Sequence, residues 1–318
     1  MGQHVCIIGG SGFVGRAIAQ QAVDAGYQVT VACRHPGRAR ALLVDGAKLK
    51  RADVTDGYGL DDAVAGADVV INLVGLLFEK GRQNFEAAHV AGTRHVIQAC
   101  KAAGVKQLLH MSALGAGQVE QSGYSQTKAR AEHLVVDSGL AYTIFRPSII
   151  YGAGDAFFNK FKAMANSMPV LPVISGDTRF QPVWIQDVAR AFVASIGNRH
   201  VAGHTFELAG PKSYSFRELL ELMLKVAGIQ RPLIPVPAVA ASVMAVVTEI
   251  LPTPLITRDQ LKLLGRDNVV EGDEPFPAIF GTAAAVEDIL PTYIAGNRAE
   301  LMQSVWDKSR SSYRKGGI

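Results

Sequence analysis

Cysteine is scarce in this sequence. The 318 residues include only three cysteines, Cys6, Cys33 and Cys100, which lie far apart in segments with strand or helix patterns. An odd and widely spaced set of this kind forms no disulfide framework, and it lacks the close ligand pairs of a structural zinc site. The sequence therefore predicts no disulfide and no metal, and it favours a reducing compartment.

Long uncharged apolar runs are also lacking. A helix that crosses a bilayer needs about 20 consecutive apolar residues, and no stretch of this chain reaches that length without a charge. The first predicted strand starts at His4, which leaves no room for a signal or transit peptide. We therefore expect a cytoplasmic protein, either free or peripheral on the inner face of the membrane.

Charge of either sign is present in small excess only. The chain carries 32 Lys and Arg against 28 Asp and Glu, a net charge of +4. Its one basic run, Lys308–Lys315, is typical of a solvated or membrane-proximal end. So mild a balance does not predict nucleic acid as a partner. With 48% apolar residues, the chain instead has the composition of a globular protein with a large core.

A glycine-rich turn near the start of the chain is its most informative feature. The apolar strand His4–Ile8 leads straight into this turn, and a helix predicted over 13–25 follows. The spacing satisfies both G-x-G-x-x-G and G-x-x-G-x-x-G, which lets a phosphate approach bare backbone at the positive end of a helix. Such turns also serve ordinary strand–helix packing, but the second strand at Tyr27–Cys33 supplies the context of a nucleotide site. The predicted pyrophosphate contacts are Gly9, Gly10, Ser11, Gly12, Phe13, Val14 and Gly15.

The end of the second strand indicates which nucleotide binds. An acidic residue there would hold the ribose 2′-hydroxyl of NAD, but the sequence has Arg34, followed by His35, Arg38 and Arg40. Guanidinium groups pair well with phosphate oxygens, so Arg34 and Arg38 are predicted to bind a 2′-phosphate. The alternative is a solvated basic loop. The prediction is NADP(H) in preference to NAD(H).

Short strands rich in Val, Ile and Leu alternate with helical segments along the chain. This alternation predicts an α/β fold, a Rossmann-type doubly wound parallel sheet with a smaller C-terminal lobe for substrate or docking. Residues 1–150 would form the nucleotide-binding domain, with 180–200 returning to it, and 151–179 and 201–318 would form the lobe. The predicted strands are His4–Ile8, Gln28–Cys33, Ala47–Ala52, Asp68–Leu73, Gln107–Met111 and Ala141–Phe145, and the clearest helices are Asn84–Ala103 and Tyr124–Ser138.

Further cofactor contacts are expected where later strands end, because ligands of open α/β sheets lie at the carboxyl edge. Asp53 and Val54 follow the third strand and are placed to bracket an adenine, although Asp53 is equally suited to cap a helix. Val74 and Gly75 follow the fourth strand and are expected beside the nucleotide as well.

A candidate catalytic group follows the fifth strand. Ser112 stands at the end of that strand, and Tyr124 and Lys128 are four residues apart on the next helix, so they share one helix face. An ammonium group beside a phenol stabilises the phenolate and makes tyrosine useful for proton transfer near neutral pH. Tyr and Lys at this spacing are also a common exposed helix pair. Their position after a dinucleotide fold and a strand-end serine favours catalysis, with Ser112 holding a substrate carbonyl or hydroxyl.

These motifs occur in an order that makes the chain resemble the short-chain dehydrogenase/reductase superfamily, in its extended or atypical branch. Arg146–Gly152 is similar to the R-P-x-x-x-Y-G strand and loop of that family, and Pro182–Ala189 to its strand-to-helix return. One departure is His89, where extended members commonly carry Asn as a supporting polar contact. The resemblance implies that the nicotinamide end of the cofactor is contacted by Tyr124, Lys128, Pro147 and Ile150.

The C-terminal third carries a narrower resemblance. Leu208–Pro211, Pro254–Leu261 and Arg266–Val270 are similar to bacterial relatives of the nucleotide-binding accessory subunit of respiratory complex I. This resemblance implies a protein that binds NADPH without taking part in the electron path from NADH to quinone. It also implies a membrane respiratory or quinone-biosynthesis complex as a partner, because related proteins are associated with ubiquinone biosynthesis.

An uncharged segment leaves two functions open. No charge occurs between Arg231 and Glu249, and Ala238–Val247 is almost wholly apolar, which suits a core helix, a helix facing quinone or lipid, or a docking surface on a membrane complex. The first function is an NADP(H)-dependent oxidoreductase or epimerase acting on a carbonyl-bearing or quinone-type substrate. The second is an accessory subunit whose nucleotide mainly stabilises its fold and its docking.

Overall fold

A seven-stranded parallel sheet forms the centre of the protein in its computed structural model, which describes residues 2–39, 46–81, 83–249, 254–272 and 274–295, without the Arg38 side chain. Arg40, the last residues of the apolar segment from 250 onward and the basic run Lys308–Lys315 lie outside the described residues. The strands are β1 His4–Ile8, β2 Gln28–Cys33, β3 Ala47–Arg51, β4 Val69–Asn72, β5 Gln107–Met111, β6 Ala141–Pro147, β7 Ile150–Tyr151, β8 Leu171–Val173, β9 Arg179–Phe180, β10 Val183–Trp184, β11 His204–Leu208, β12 Tyr214–Ser215 and β13 Leu233–Pro235.

Helices alternate with these strands along the chain. A π-helix spans Glu86–Ala91, and short 3-10 helices span Arg199–Val201 and Ala278–Phe280. The α-helices are α1 Phe13–Asp24, α2 Pro36–Ala39, α3 Leu60–Val64, α4 Gly92–Ala102, α5 Gly123–Val136, α6 Phe158–Ser167, α7 Ile185–Ala194, α8 Phe216–Ala227, α9 Ala238–Thr248, α10 Arg258–Leu263, α11 Val286–Ile289 and α12 Pro291–Ile294.

The order of strands in the large sheet is β11-β6-β5-β4-β1-β2-β3, which confirms the predicted doubly wound fold. The chain moves outward from β1 to β3 on one side and then from β4 to β6 on the other. The order therefore reverses between β1 and β4, where the adjoining connections diverge and leave a crevice at the carboxyl ends of the strands. The glycine turn after β1 lies at this crevice.

Helices cover both faces of the sheet and bury two apolar layers. On one face, α1 and α7 pack against each other and over the sheet, where Ile18 is fully buried and Phe192 contacts Phe145 of β6. On the other face, α3, α4 and α5 contribute Leu60, Val96 and Val135 to a second cluster. Strands buried on both faces explain why the sequence shows near-continuous apolar runs in place of alternation.

The predicted helix Asn84–Ala103 is helical from Glu86 to Ala102, but its first half is not an α-helix. Glu86–Ala91 is a π-helix, in which the Gly92 N–H donates to the carbonyl of Ala87 five residues earlier, and only Gly92–Ala102 is α-helical. A π-helical turn holds one residue more than an α-helical turn, and this changes the spacing of apolar residues too little to be recognised in the sequence. π-Helical turns of this kind are frequent at functional sites.

The predicted lobe boundary also needs correction. Strand β11 pairs in parallel with β6, so 204–208 belong to the large sheet, although the sequence analysis assigned 201–318 to the lobe. Pairing between distant segments leaves no local trace in the sequence. The division into two domains stays a prediction. On the lobe side, α6, α8, α11 and α12 pack around a cluster that includes Phe158, Leu220 and Leu290.

The apolar helix α9 is neither core nor fully exposed. Ala241, Ala245 and Thr248 are buried, whereas Val239 and Val243 expose 78% and 60% of their surface.

Among the described residues, no helix is long and apolar enough to cross a membrane. All three cysteines are buried free thiols.

Candidate cofactor and active site

The glycine turn between β1 and α1 uses each glycine differently. Gly9 has a positive φ of 82°, and its N–H donates to the carbonyl of Ala32 at 2.9 Å. A Cβ on Gly15 would lie 2.7 Å from the Gly9 oxygen, so this glycine lets α1 approach the turn closely. A Cβ on Gly12 would meet only that same oxygen, at 3.3 Å. Gly12 therefore leaves the backbone at the start of α1 uncovered by a side chain, as phosphate binding requires.

One cavity of about 1060 Å³ lies above the carboxyl ends of the strands and continues toward the lobe. It brings together all but two of the predicted site residues. The exceptions are Gly10, which packs beneath the turn against Ile7 and Val31, and Arg38, whose side chain is outside the described structure. The predicted residues that line the cavity are Gly9, Ser11, Gly12, Phe13, Val14, Gly15, Arg34, Asp53, Val54, Val74, Gly75, Ser112, Tyr124, Lys128, Pro147 and Ile150.

Arg34 stands at the rim of this cavity, directly after β2. Its side chain is exposed, and within the described ranges it forms no ion pair. A free guanidinium beside the cavity is available to an anionic ligand. The contact with a 2′-phosphate stays a prediction.

Asp53 does not cap a helix. Its Oδ1 accepts hydrogen bonds from the N–H and the hydroxyl of Thr55, at 3.0 and 2.8 Å, and α3 begins only at Leu60 after Gly59. Asp53 therefore shapes the loop after β3 through a local turn. Val54 packs against Gly92 at the start of α4, so the loop is fixed where an adenine is predicted.

The hydroxyl of Ser112 has an unusual position. The backbone N–H of Ser112 donates to the carbonyl of Phe145 at 2.7 Å, which fixes the residue at the end of β5. Its Oγ is buried and has no hydrogen-bond partner among the described residues, yet the residue lines the cavity. A buried hydroxyl without a partner costs about 1–3 kcal/mol, and a polar ligand atom in the cavity would remove that cost.

Lys128 and Tyr124 line the cavity from the same face of α5. Lys128 Nζ donates to the carbonyl of Met111 at 3.1 Å, and burial lowers its pKa to about 8, although Glu132 opposes the shift. The expectation that Lys128 brings the pKa of Tyr124 near neutrality is not met, because burial and the Asp259 carboxylate raise that pKa to about 12. At neutral pH the Tyr124 phenol is therefore protonated.

The sequence analysis missed the role of Asp259, which comes from α10. Its carboxylate accepts hydrogen bonds from the Ser122 hydroxyl at 2.9 Å, the Gly123 N–H at 2.7 Å and, at 3.3 Å, the Tyr124 N–H. A negative charge at a helix N-terminus is stabilising. Asp259 thus ties the C-terminal segment to the helix that carries Tyr124 and Lys128. Only its place in the run Thr257–Leu261 pointed to it.

His89, which stands where the resembled family commonly carries Asn, forms polar contacts on both sides of its ring. Its Nε2 accepts the Leu76 N–H at 3.0 Å, so its proton lies on Nδ1, which donates to the Thr127 hydroxyl at 2.9 Å. The Tyr124 ring meets His89 edge-on, with centroids 5.5 Å apart. Burial, reinforced by the Lys128 charge, lowers the pKa of His89 to about 2. A neutral His89 therefore joins the loop after β4 to α5.

His110, on β5, is a second residue that the sequence analysis missed. The Asn72 amide donates to its Nδ1 at 3.3 Å, so the proton lies on Nε2, which is buried without a partner among the described residues. Burial, followed by the Lys128 charge, lowers the pKa of His110 to about 3. A histidine in an apolar strand looks like a core residue, so the sequence pattern did not single out His110.

These two histidines predict an acid-labile fold. Their folded-state pKa values of about 2 and 3 lie below the ordinary 6.5, so stability is full above pH 6.5 and is lost as pH falls below it. We expect them to lower the free energy of unfolding by about 2–3 kcal/mol between pH 6 and pH 5. Urea unfolding at both pH values measures this. His89→Asn should remove about half of this loss of stability, and the exposed His200→Gln should remove none of it. If His89→Asn loses as much stability between pH 6 and pH 5 as the wild type, His89 does not cause the acid lability.

Comparisons with known proteins agree with this geometry. Residues 9–170 match the family described as NAD(P)H-binding. The chain is 30% identical to the mitochondrial NADH dehydrogenase [ubiquinone] 1 alpha subcomplex subunit 9 of Arabidopsis thaliana, over 98% of this chain and 78% of that protein. It is 31% identical to a ceramide reductase of Caulobacter vibrioides, over 60% of each chain.

A solved structure shares the fold. The NADPH-dependent quinone oxidoreductase of Escherichia coli, in complex with NADPH, superposes with a TM-score of 0.71 at 21% identity and covers 90% of this chain and 98% of its own. In the described ranges, no group of three or more His, Cys, Asp or Glu side chains is placed to hold a metal ion.

Proposed function

Because this chain belongs to the NAD(P)H-binding family that its residues 9–170 match, we propose that it is an NADP(H)-dependent reductase of a carbonyl-bearing substrate. The observation that carries the proposal is the buried, unpartnered Oγ of Ser112, a residue that lines the same cavity as Tyr124 and Lys128. The donor set fits a dinucleotide. Gly12 leaves space at the N-terminus of α1 for the pyrophosphate, and Gly75 lies beside Lys128 Nζ.

The side chains of this site have complementary roles in such a reduction. NADPH, when bound, supplies the hydride that reaches the carbonyl carbon. The Ser112 hydroxyl donates a hydrogen bond to the carbonyl oxygen and holds it in place. Tyr124, whose pKa of about 12 keeps it protonated, gives its proton to that oxygen and completes the alcohol. The Lys128 ammonium favours the phenolate that remains.

A second candidate function is favoured by the similarity to the plant complex I subunit, because it extends over 98% of this chain. In this function the nucleotide stabilises the fold, and the protein docks on a respiratory or quinone-biosynthesis complex at the inner face of the membrane. Oxidation of NADPH by the purified chain, with methyl ketones and short-chain quinones as probes, separates the two. Consumption that depends on the probe supports the reductase, and bound NADPH without consumption supports the accessory role.

The preference for NADPH depends on Arg34 in this proposal. Arg34→Ala should remove most of the preference, at a cost of about 1.5–3 kcal/mol in NADPH binding, because charge-assisted hydrogen bonds to the 2′-phosphate are lost. NADH affinity should barely change. Calorimetric titration of both nucleotides measures this, with Arg94→Ala on α4 as a control. Equal affinities of the wild type for NADPH and NADH would contradict the assignment.

A further inference from the structure

The cavity has a second half that no predicted nucleotide contact occupies. It lies between the lobe elements α6, β8, α8, α9 and the segment around α10. Its charged neighbours Lys160, Arg266 and Asp267 are exposed, which places them at the rim. The side chains that characterise this lobe half are Phe161, Met164, Ile174, Phe216, Met244 and Ile256.

A lining of this kind selects an apolar ligand. Aromatic and methionine side chains offer dispersion contacts and no hydrogen bonds, so a sugar or phosphate buried among them would lose its hydration without replacement. A hydrocarbon chain has no hydrogen bonds to water to lose, and its binding becomes more favourable with each buried methylene. The lobe half is therefore suited to the tail of an amphiphile whose polar head reaches Ser112.

Helix α9 separates this lobe half from the surface. Met244 lines the cavity, and Ala241 and Ala245 pack in the cluster with Ile174 and Ile256. The opposite side of the helix is a face of exposed valines, which we call the valine face. It consists of Val239, Val243, Val246 and Val247, which are exposed by 78%, 60%, 53% and 60%.

Exposed apolar residues concentrate around this face. Three more large apolar side chains in the same part of the lobe are exposed: Val170, Ile234 and Leu255. Ile234 is in β13, which pairs with β8 next to Val170. An apolar surface of this extent on one side of a protein marks an interaction site.

Among the described residues, the unpaired charges beside the valine face are positive. Residues 156–176 and 228–248 contain Lys160, Lys162 and Arg231 and no Asp or Glu, and Glu249, which caps α9, is paired with Arg258 at 2.9 Å. Lys160 Nζ donates to the carbonyl of Leu255 at 2.6 Å, and Arg231 Nε to that of Met168 at 2.9 Å, so both cations border the exposed apolar side chains. Cations around an apolar face suit an anionic lipid surface. The face has no Trp, Tyr or Arg of the kind that anchors protein partners.

We propose that the lobe half of the cavity binds the hydrocarbon tail of a carbonyl-bearing amphiphile, which enters from an anionic bilayer in contact with the valine face. The carbonyl chemistry rests on the proposed reductase function. The tail site and the bilayer contact rest on the cavity lining and the valine face.

The tail site is tested by binding, without turnover. Methyl ketones of increasing length, from pentanone to undecanone, are titrated calorimetrically into the NADPH-loaded Tyr124→Phe chain. Affinity should rise about fourfold with each added methylene. Adding Met244→Glu should abolish this dependence, whereas adding Val243→Glu on the exposed face should leave it intact. NADPH binding serves as the check that Met244→Glu is folded. If Met244→Glu does not bind NADPH, Met244→Gln replaces it, and the dependence of affinity on ketone length should then be at least halved.

Affinities that do not change with ketone length, or a dependence that survives both Met244 variants, would overturn the tail site. The reductase proposal fails separately. It is refuted if the wild type binds long ketones and NADPH but oxidises no NADPH with any of them.

The bilayer contact is tested by flotation with vesicles of phosphatidylglycerol and phosphatidylethanolamine. The wild type should float with these vesicles, less so in high salt and hardly at all with phosphatidylcholine alone. Val243→Glu should reduce the floating fraction at least tenfold, whereas the exposed but distant Val136→Glu should not. A wild type that stays unbound would overturn the bilayer contact and leave the valine face to a protein partner.

Discussion

Replacing Tyr124 with phenylalanine is expected to slow ketone-dependent NADPH oxidation by about 10²–10⁴-fold and to leave NADPH affinity nearly unchanged. The ring of Tyr124 packs edge-on against Phe85 and His89, with centroids 5.8 and 5.5 Å away, and phenylalanine keeps both contacts. Only the proton donor is lost. Steady-state rates together with calorimetric NADPH binding measure the two effects separately.

Two further variants make this result specific. Tyr58→Phe changes an exposed tyrosine on another loop and should leave the rate unchanged. Ser112→Ala should lower the rate without lowering stability, because its hydroxyl has no partner among the described residues. If Tyr124→Phe keeps the wild-type rate, the proton does not come from Tyr124. If Tyr124→Phe fully complements a deletion strain that Gly12→Val does not, the accessory function is the better explanation.

Gly12→Val is expected to abolish NADPH binding. Gly12 has φ −74° and ψ 179°, an extended conformation that valine adopts readily, and a Cβ there meets only the Gly9 oxygen at 3.3 Å. The fold therefore accommodates the change after a shift of a few tenths of an ångström at that oxygen. The branched side chain, however, fills the space in which a phosphate must reach the N-terminus of α1. NADPH should raise the Tm of the wild type and not that of the variant.

Gly15→Ala is the matched contrast. Its Cβ would lie 2.7 Å from the Gly9 oxygen, so this smaller substitution should lower the Tm even without nucleotide. Gly12→Val should abolish the increase in Tm that NADPH causes. Gly15→Ala should lower the Tm of the protein without nucleotide. Wild-type NADPH affinity in Gly12→Val would show that the pyrophosphate lies elsewhere.

The parts of the fold that were predicted well are set by neighbouring residues. The bounds of β1, β2 and β5 are those expected from sequence, because short apolar runs there end at glycine or polar residues. The NAD(P)H-binding family was likewise identified from the glycine spacing and is confirmed. Each of these features lies within about fifteen residues, so local chemistry suffices.

Features that join distant segments were missed for a physical reason. The Asp259 contact to Tyr124 spans 135 residues, and the β11–β6 pairing brings 204–208 into the sheet. The π-helix around His89 depends on packing between α4, α5 and the loop after β4. Nothing in the composition of these segments distinguishes them from ordinary helices, strands and caps.

The sequence by itself determined the doubly wound fold and the glycine turn, because strand, turn and helix preferences act over a few residues and the parallel order follows from their alternation. Tertiary structure alone decided the electrostatics of the site. Burial and Asp259 keep Tyr124 protonated, burial and the Lys128 charge keep His89 and His110 neutral, and the way α9 packs leaves its valines exposed. Burial and charge proximity are properties of the assembled molecule, since they arise between residues that the chain order keeps far apart.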